Sequence, residues 1–179
     1  DFFLSDADKV DLAESPKDYI AFVIGGQHAT KILPTAKIIS ICKKLNKAVL
    51  LIGGPDDKAR GDEISKASGA INTCGDYSLL QSAFLIKNSA YVISHDTGMM
   101  HIAATFNVPI VSVWGSTVPD FGMYPYRPLK KESYSIHQVK GLGCRPCSKI
   151  GFQACPKKHF NCMKQQNIEE IASELVSKK

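Results

Sequence analysis

At 179 residues the chain has room for one domain of ordinary size, about 150 residues, and not for two full cores. Hydrophobic residues at 44% and charged residues at 22% match a globular protein, and a mean hydropathy of −0.08 with no apolar run of about 18 residues argues against a membrane-spanning helix. The net charge of +5 is uneven: residues 127–164 carry nine Lys/Arg and one acid, Glu132, a local +8, while the rest is net −3.

The chain opens at Asp1 with neither an initiator Met nor a signal-peptide pattern, which reads as a processed or excised piece. Residues 1–18 are polar and acidic and read as a lead-in or linker, leaving 19–179 as the domain. Tyr19 to Ile24 is the first strand; a continuous apolar run suits a strand covered on both faces, and it ends in Gly25-Gly26. Pro34 opens a helix with apolar positions Ile38, Ile41, Cys42 and Leu45 at helical spacing. The strand Ala48 to Ile52 follows and stops at Gly53-Gly54, then a helix starts at Pro55-Asp56-Asp57 and runs to about Ser68.

Ala70 to Thr73 is a weak third strand, and Ser78 N-caps the next helix. A strand at Ala90 to Ser94 leads through His95-Asp96-Thr97-Gly98 into a further helix, with Asp96 placed to cap it, and Val108 to Trp114 is the fifth strand, closed by Gly115-Ser116-Thr117. Beyond it lie a Pro-, Gly- and Tyr-rich loop (Pro119 to Pro128), a short strand near Tyr134 to His137, a cysteine-containing segment and a last helix within 167–177. Strands alternating with helices call for right-handed crossovers and hence a doubly wound, Rossmann-like parallel sheet of the α/β class, with ligands at the carboxyl ends of the strands.

Those ends are small or polar, and glycines there let a ligand reach main-chain N–H groups at helix N-termini, an arrangement suited to phosphate. The same glycines serve ordinary tight turns, so each pair alone is weak evidence. No G-x-G-x-x-G opens the first crossover and no G-x-x-x-x-G-K-[ST] occurs, which demotes an NAD-binding domain and excludes a Walker-type NTPase by motif. Hydrolase (G-x-S-x-G) and metalloprotease (H-E-x-x-H) motifs are missing as well. His101 could be a core histidine or could reach a ribose or phosphate oxygen.

Cys42 and Cys74 read as buried thiols, whereas Cys144, Cys147, Cys155 and Cys162 fall in nineteen residues as C-x2-C-x7-C-x6-C. That spacing allows a closed structural zinc knot or two disulfides; a closed four-thiolate site has no open position for catalysis. The basic segment around them is a solvated surface or an anion-facing one, and no RNA-binding or recognition-helix pattern accompanies it.

Lys31-Ile32-Leu33-Pro34, the Gly-Gly-x-x-Asp turn after the second strand, Gly75 to Leu79, Asp96-Thr97-Gly98-x-x-His101 and Gly115-Ser116-Thr117 together resemble the family 9 glycosyltransferases, the heptosyltransferases of the lipopolysaccharide inner core. The resemblance runs nearly end to end over the carboxyl-terminal half of that family, and its late cysteines recur there too. Leu33 stands where the family commonly has an aromatic residue.

The resemblance implies the carboxyl-terminal half of a GT-B enzyme, holding a nucleotide-diphosphate sugar, ADP-heptose. Donor contacts would come from Lys31, Gly54, Asp56, Asp96, Thr97, Gly98, His101, Gly115, Ser116 and Thr117, with the catalytic base on an amino-terminal domain and no cofactor required. It also implies a lipopolysaccharide core acceptor bound through that other domain, a cytoplasmic location with peripheral inner-membrane contact, and no nucleic acid. The rivals are a GT-B transferase or epimerase for another nucleotide sugar, and a non-catalytic module docking on anionic lipid or protein.

Overall fold

The computed structural model describes residues 2–11, 16, 18–127 and 133–176. Part of the lead-in, Pro128 to Glu132 with Lys130 and Lys131 of the basic segment, and position 177 of the expected last helix lie outside the described residues. Six strands form one parallel sheet: β1 (Tyr19–Val23), β2 (Ala48–Ile52), β3 (Ile71–Asn72), β4 (Tyr91–His95), β5 (Ile110–Trp114) and β6 (Tyr134–Gln138). Their order is β3-β2-β1-β4-β5-β6, so the chain reverses its direction of winding between β1 and β4, and a crevice opens there at the carboxyl ends of the strands.

The apolar runs become strands because both sheet faces are covered. Along β1 the side chains of Ile20 and Phe22 enter one core, with Ile24 just beyond the strand, and those of Tyr19, Ala21 and Val23 enter the other. The first core is closed by α1 (Thr35–Lys44), α2 (Lys58–Ser68), α5 (Asn161–Lys164) and α6 (Ile168–Val176), through Ile38, Ile41, Ile64, Met163, Ile171 and Leu175. The second is closed by α3 (Leu79–Lys87) and α4 (Gly98–Thr105), through Leu85, Ile86, Met100 and Ala103. The described part of the lead-in packs on this second face, with the Phe2 ring edge-on to Phe106 at 5.6 Å and Val10 against the core.

Element ends follow local chemistry. β5 starts at Ile110 rather than Val108 because Pro109 has no N–H for the ladder, though its carbonyl still accepts from the Val92 N–H at 2.9 Å. Ser78 caps α3 in a reciprocal box: its Oγ accepts from the Gln81 N–H at 3.2 Å, and the Gln81 side chain accepts from the Ser78 N–H at 3.0 Å. Ser78→Ala should cost about 1 kcal/mol of stability, read as a lower denaturation midpoint at unchanged slope; an unchanged midpoint would mean the cap contributes nothing.

Asp96 does not cap α4. Thr97 holds the N-cap position without a side-chain cap bond, and the Asp96 carboxylate points elsewhere, to a lysine and a threonine from distant parts of the chain. Among the described residues no helix is long and apolar enough to cross a membrane.

Candidate functional site

A cavity of about 970 Å³ lies at the crevice between β1 and β4. The β1–α1 connection supplies Gly25, Gly26, Gln27, His28 and Lys31; the turn after β2 supplies Gly53, Gly54, Pro55 and Asp57. From the opposite side come Tyr77, Ser78, Leu79 and Ser82 at the start of α3, and Asp96, Thr97, Gly98, Met99 and Ile102 at the start of α4. Met123 and Ile150 complete the wall.

Lys31 is the cation of this cavity. Its Nζ lies 2.8 Å from Asp96 Oδ2, and both side chains are largely buried, at 12% and 4% exposure. The same carboxylate oxygen accepts from Thr117 Oγ1 at 2.8 Å, so Asp96 ties the lysine loop, the β4–α4 turn and the end of β5 together. Beside it the first turn of α4 faces the cavity with main-chain N–H groups that have no partner within the helix and carry its positive dipole end. Asp57 is used locally: Oδ2 accepts from the Gly54 N–H at 3.0 Å and fills the space beside Gly25, where a Cβ would stand 2.2 Å from it. A side chain at Gly25 would therefore displace the Asp57 carboxylate from its bond to Gly54.

Of the sequence-derived donor residues, Lys31, Gly54, Asp96, Thr97 and Gly98 come together in this cavity. Asp56 does not: it is exposed outside the lining, and the acid that enters is its neighbour Asp57. His101 is neither a core residue nor part of the lining. Positions 98, 99 and 102 of α4 face the cavity and 100, 103 and 104 face the core, which turns His101 out to solvent.

Gly115, Ser116 and Thr117 are also outside the lining, because the cysteine-containing segment covers them. A Cβ on Gly115 would meet Met163 and the Thr30 carbonyl at 2.6 Å. Ser116 bonds Thr30 through its hydroxyl at 2.9 Å, and its carbonyl accepts from the Cys147 N–H at 2.9 Å. Arg145 donates to the carbonyls of Gly115, Val139 and Thr117. Sequence reasoning missed Tyr77, Ser82, Met99, Ile102, Met123 and Ile150, all of which but Ser82 add apolar surface to the lining; helical spacing could have placed only Met99 and Ile102 beside Gly98.

The four late cysteines are free thiols, and among the described residues no group of three or more His, Cys, Asp or Glu is disposed to hold a metal ion. The two expected disulfides are not formed, and the thiols of Cys144, Cys147, Cys155 and Cys162 lie near enough to one another that, beyond burial, charge on their neighbours pushes those of Cys147 and Cys162 up. The Cys147 thiol donates to the Cys144 carbonyl at 3.0 Å, and Cys144 Sγ lies 3.7 Å from His159 Nε2. Burial pushes the Cys162 thiol up to about 11 and those of Cys42 and Cys74 up to about 12.

Hydrogen bonds hold the segment, and two of its nine cations are structural. Arg145 closes the β5 end, and the buried Arg127 donates to the carbonyls of Ala103 and Val108. Arg145→Ala should unseat the segment, seen as faster hydrogen exchange at the Cys147 amide, while protection there equal to wild type would contradict this latch.

Comparison with known proteins places the chain. The family model for glycosyltransferase family 9 (heptosyltransferase) matches residues 4–155. Lipopolysaccharide heptosyltransferase 2 of Escherichia coli K12 is 34% identical over 99 residues, 52% of this chain and 27% of that protein. The solved E. coli ADP-heptose lps heptosyltransferase II superposes with a TM-score of 0.66 at 21% identity, over 97% of this chain and 53% of its own. The E. coli heptosyltransferase WaaC, solved with ADP, gives a TM-score of 0.57 at 20% identity, over 70% of this chain and 40% of that one. The chain thus spans about half the length of the solved enzyme II, and with 152 of its 179 residues inside the family match it belongs to glycosyltransferase family 9, the heptosyltransferases.

Proposed function

We propose that this chain is the donor-binding half of an inverting heptosyltransferase of lipopolysaccharide core synthesis, and that the cavity takes the nucleotide diphosphate of ADP-heptose. The observation that carries this reading is the placement of Lys31. Asp96 occupies one of the three N–H bonds of its ammonium and aims it beside the N-terminus of α4, leaving two for phosphate oxygens. Lysine and helix end together supply positive charge against a diphosphate. The apolar wall of Tyr77, Leu79, Met99 and Ile102 suits a flat base, and the solution of WaaC with ADP supports adenine.

On this reading the acceptor and the base carboxylate belong to another half of the protein, and transfer needs no cofactor. Work on a lipid-linked acceptor would place the enzyme in the cytoplasm beside the inner membrane, with exposed Lys149, Lys157 and Lys158 near anionic headgroups. The test is calorimetric titration of ADP, UDP and GDP into the chain. ADP binding tightest is expected. A preference for UDP or GDP would point to another nucleotide sugar, and no nucleotide affinity with salt-sensitive binding to anionic vesicles would favour the binding-module reading.

A further inference from the structure

We propose that His95 is a positioning residue for the phosphate-facing lysine: its imidazole fixes the main chain of Leu33 and, through it, the place of Lys31 in the cavity. The inference rests on the donor-site reading above and deepens it.

The connection between β1 and α1 contributes five residues to the cavity wall, Lys31 among them, yet it is irregular apart from one 3-10 turn at Ala29–Lys31. Such backbone keeps one shape only where its polar groups are held. Thr30 is held from the cysteine-containing segment: its N–H donates to the Phe152 carbonyl at 3.0 Å, and its Oγ1 accepts from the Phe152 N–H at 2.8 Å. Leu33 is held on both sides. Its N–H donates to His95 Nε2 at 3.0 Å, and its carbonyl accepts from Arg60, which also donates to the Ile24 carbonyl at 3.0 Å and so brackets both ends of the connection.

His95 is completely buried at the end of β4, where a polar ring is costly unless it is bonded. Since Nε2 accepts, the proton of the neutral ring sits on Nδ1, and Nδ1 has no partner. An apolar side chain would avoid that orphaned donor, so what imidazole adds at this position is the acceptor. Burial, with the Arg60 cation nearby, drives its pKa down to about 3 and keeps the acceptor neutral. The neighbouring residue in sequence is Asp96, which holds the Lys31 ammonium. Two adjacent residues at the end of β4 therefore grip the lysine loop twice, once by main chain and once by side chain.

The test compares His95→Gln, whose amide oxygen reaches the place of Nε2, with His95→Asn, which reaches only Nδ1, and His95→Leu, which fills the slot without an acceptor. ADP affinity is measured for each in the 179-residue chain, with and without Lys31→Ala, on variants whose melting curves show a fold. His95→Asn and His95→Leu should weaken ADP by about fivefold, the weight of one ordinary hydrogen bond, His95→Gln should stay near wild type, and none should weaken binding further once Lys31 is Ala. Equal losses in both backgrounds would mean a merely structural residue and overturn the proposal.

A nucleotide-free readout runs in parallel. Acylation of Lys31 by an N-hydroxysuccinimide ester, followed by peptide mass spectrometry, should speed up in His95→Asn and His95→Leu and not in His95→Gln; unchanged rates in all three would overturn it as well. Should wild type fail to bind ADP, the donor-site reading falls by itself, and the acylation rates still decide the role of His95.

Discussion

Lys31→Ala is expected to damage stability and nucleotide binding together. It leaves the Asp96 carboxylate, 4% exposed, with Thr117 as its remaining partner, and an uncompensated buried charge costs about 3 to 5 kcal/mol. If Lys31 binds the donor as proposed, the change also removes a charged hydrogen bond to phosphate, about 1.5 to 3 kcal/mol, or roughly 10- to 150-fold in affinity. The two effects separate in a double variant. Lys31→Met with Asp96→Asn removes both charges, keeps a polar partner for Thr117 and should recover most of the melting temperature without recovering ADP affinity. Recovery of both by the neutral pair would show that the lysine acts only through folding.

Acid should destabilise the chain through His95. Its pKa is about 3 in the folded protein and near 6.5 once unfolded, so above pH 6.5 neither state carries the proton. Between pH 6.5 and 3 the unfolded chain binds a proton that the native state refuses, and stability falls by about 1.4 kcal/mol per pH unit, roughly 4 to 5 kcal/mol over the window. Below pH 3 the contribution of His95 levels off. Denaturant midpoints of wild type and His95→Leu at pH 7, 6, 5 and 4.5 isolate it, since the carboxylates are common to both. Wild type should lose midpoint relative to His95→Leu steadily as the pH falls below 6.5, and a constant difference would show that His95 accepts its proton as readily folded as unfolded.

Much of the sheet was legible because β1, β2, β4 and β5 are buried on both faces, which makes β1 and β2 continuous apolar runs and leaves β4 and β5 apolar but for Ser94, His95 and Ser112. The Ser78 cap was legible for a local reason too, since Gln81 stands three residues on. The site was legible only where it is local. Thr97 and Gly98 follow from the turn itself, but Asp96 looked like a cap because its partners, Lys31 and Thr117, are brought to it by the crossovers of the sheet.

Gly115-Ser116-Thr117 ends a strand as the other glycine turns do, and nothing near it in sequence announces that Arg145 and Met163 will cover it. The cysteine spacing was legible as a cluster, since charge on neighbouring late thiols acts on Cys147 and Cys162, but the bonds of Arg145 and Thr30 that fix the segment from elsewhere in the chain were not. His101 stands outside the cavity lining because positions 98, 99 and 102 take that face of α4, a rotation that periodicity over eight residues does not resolve.

A crystal structure of the chain grown with ADP is the most direct measurement. The diphosphate should lie within hydrogen-bond reach of Lys31 Nζ and the N–H groups of Gly98 and Met99, with the base against Tyr77, Met99 and Ile102. A diphosphate bound instead on the exposed lysines of the cysteine-containing segment, with the cavity unchanged, would contradict the assignment of this cavity as the donor site.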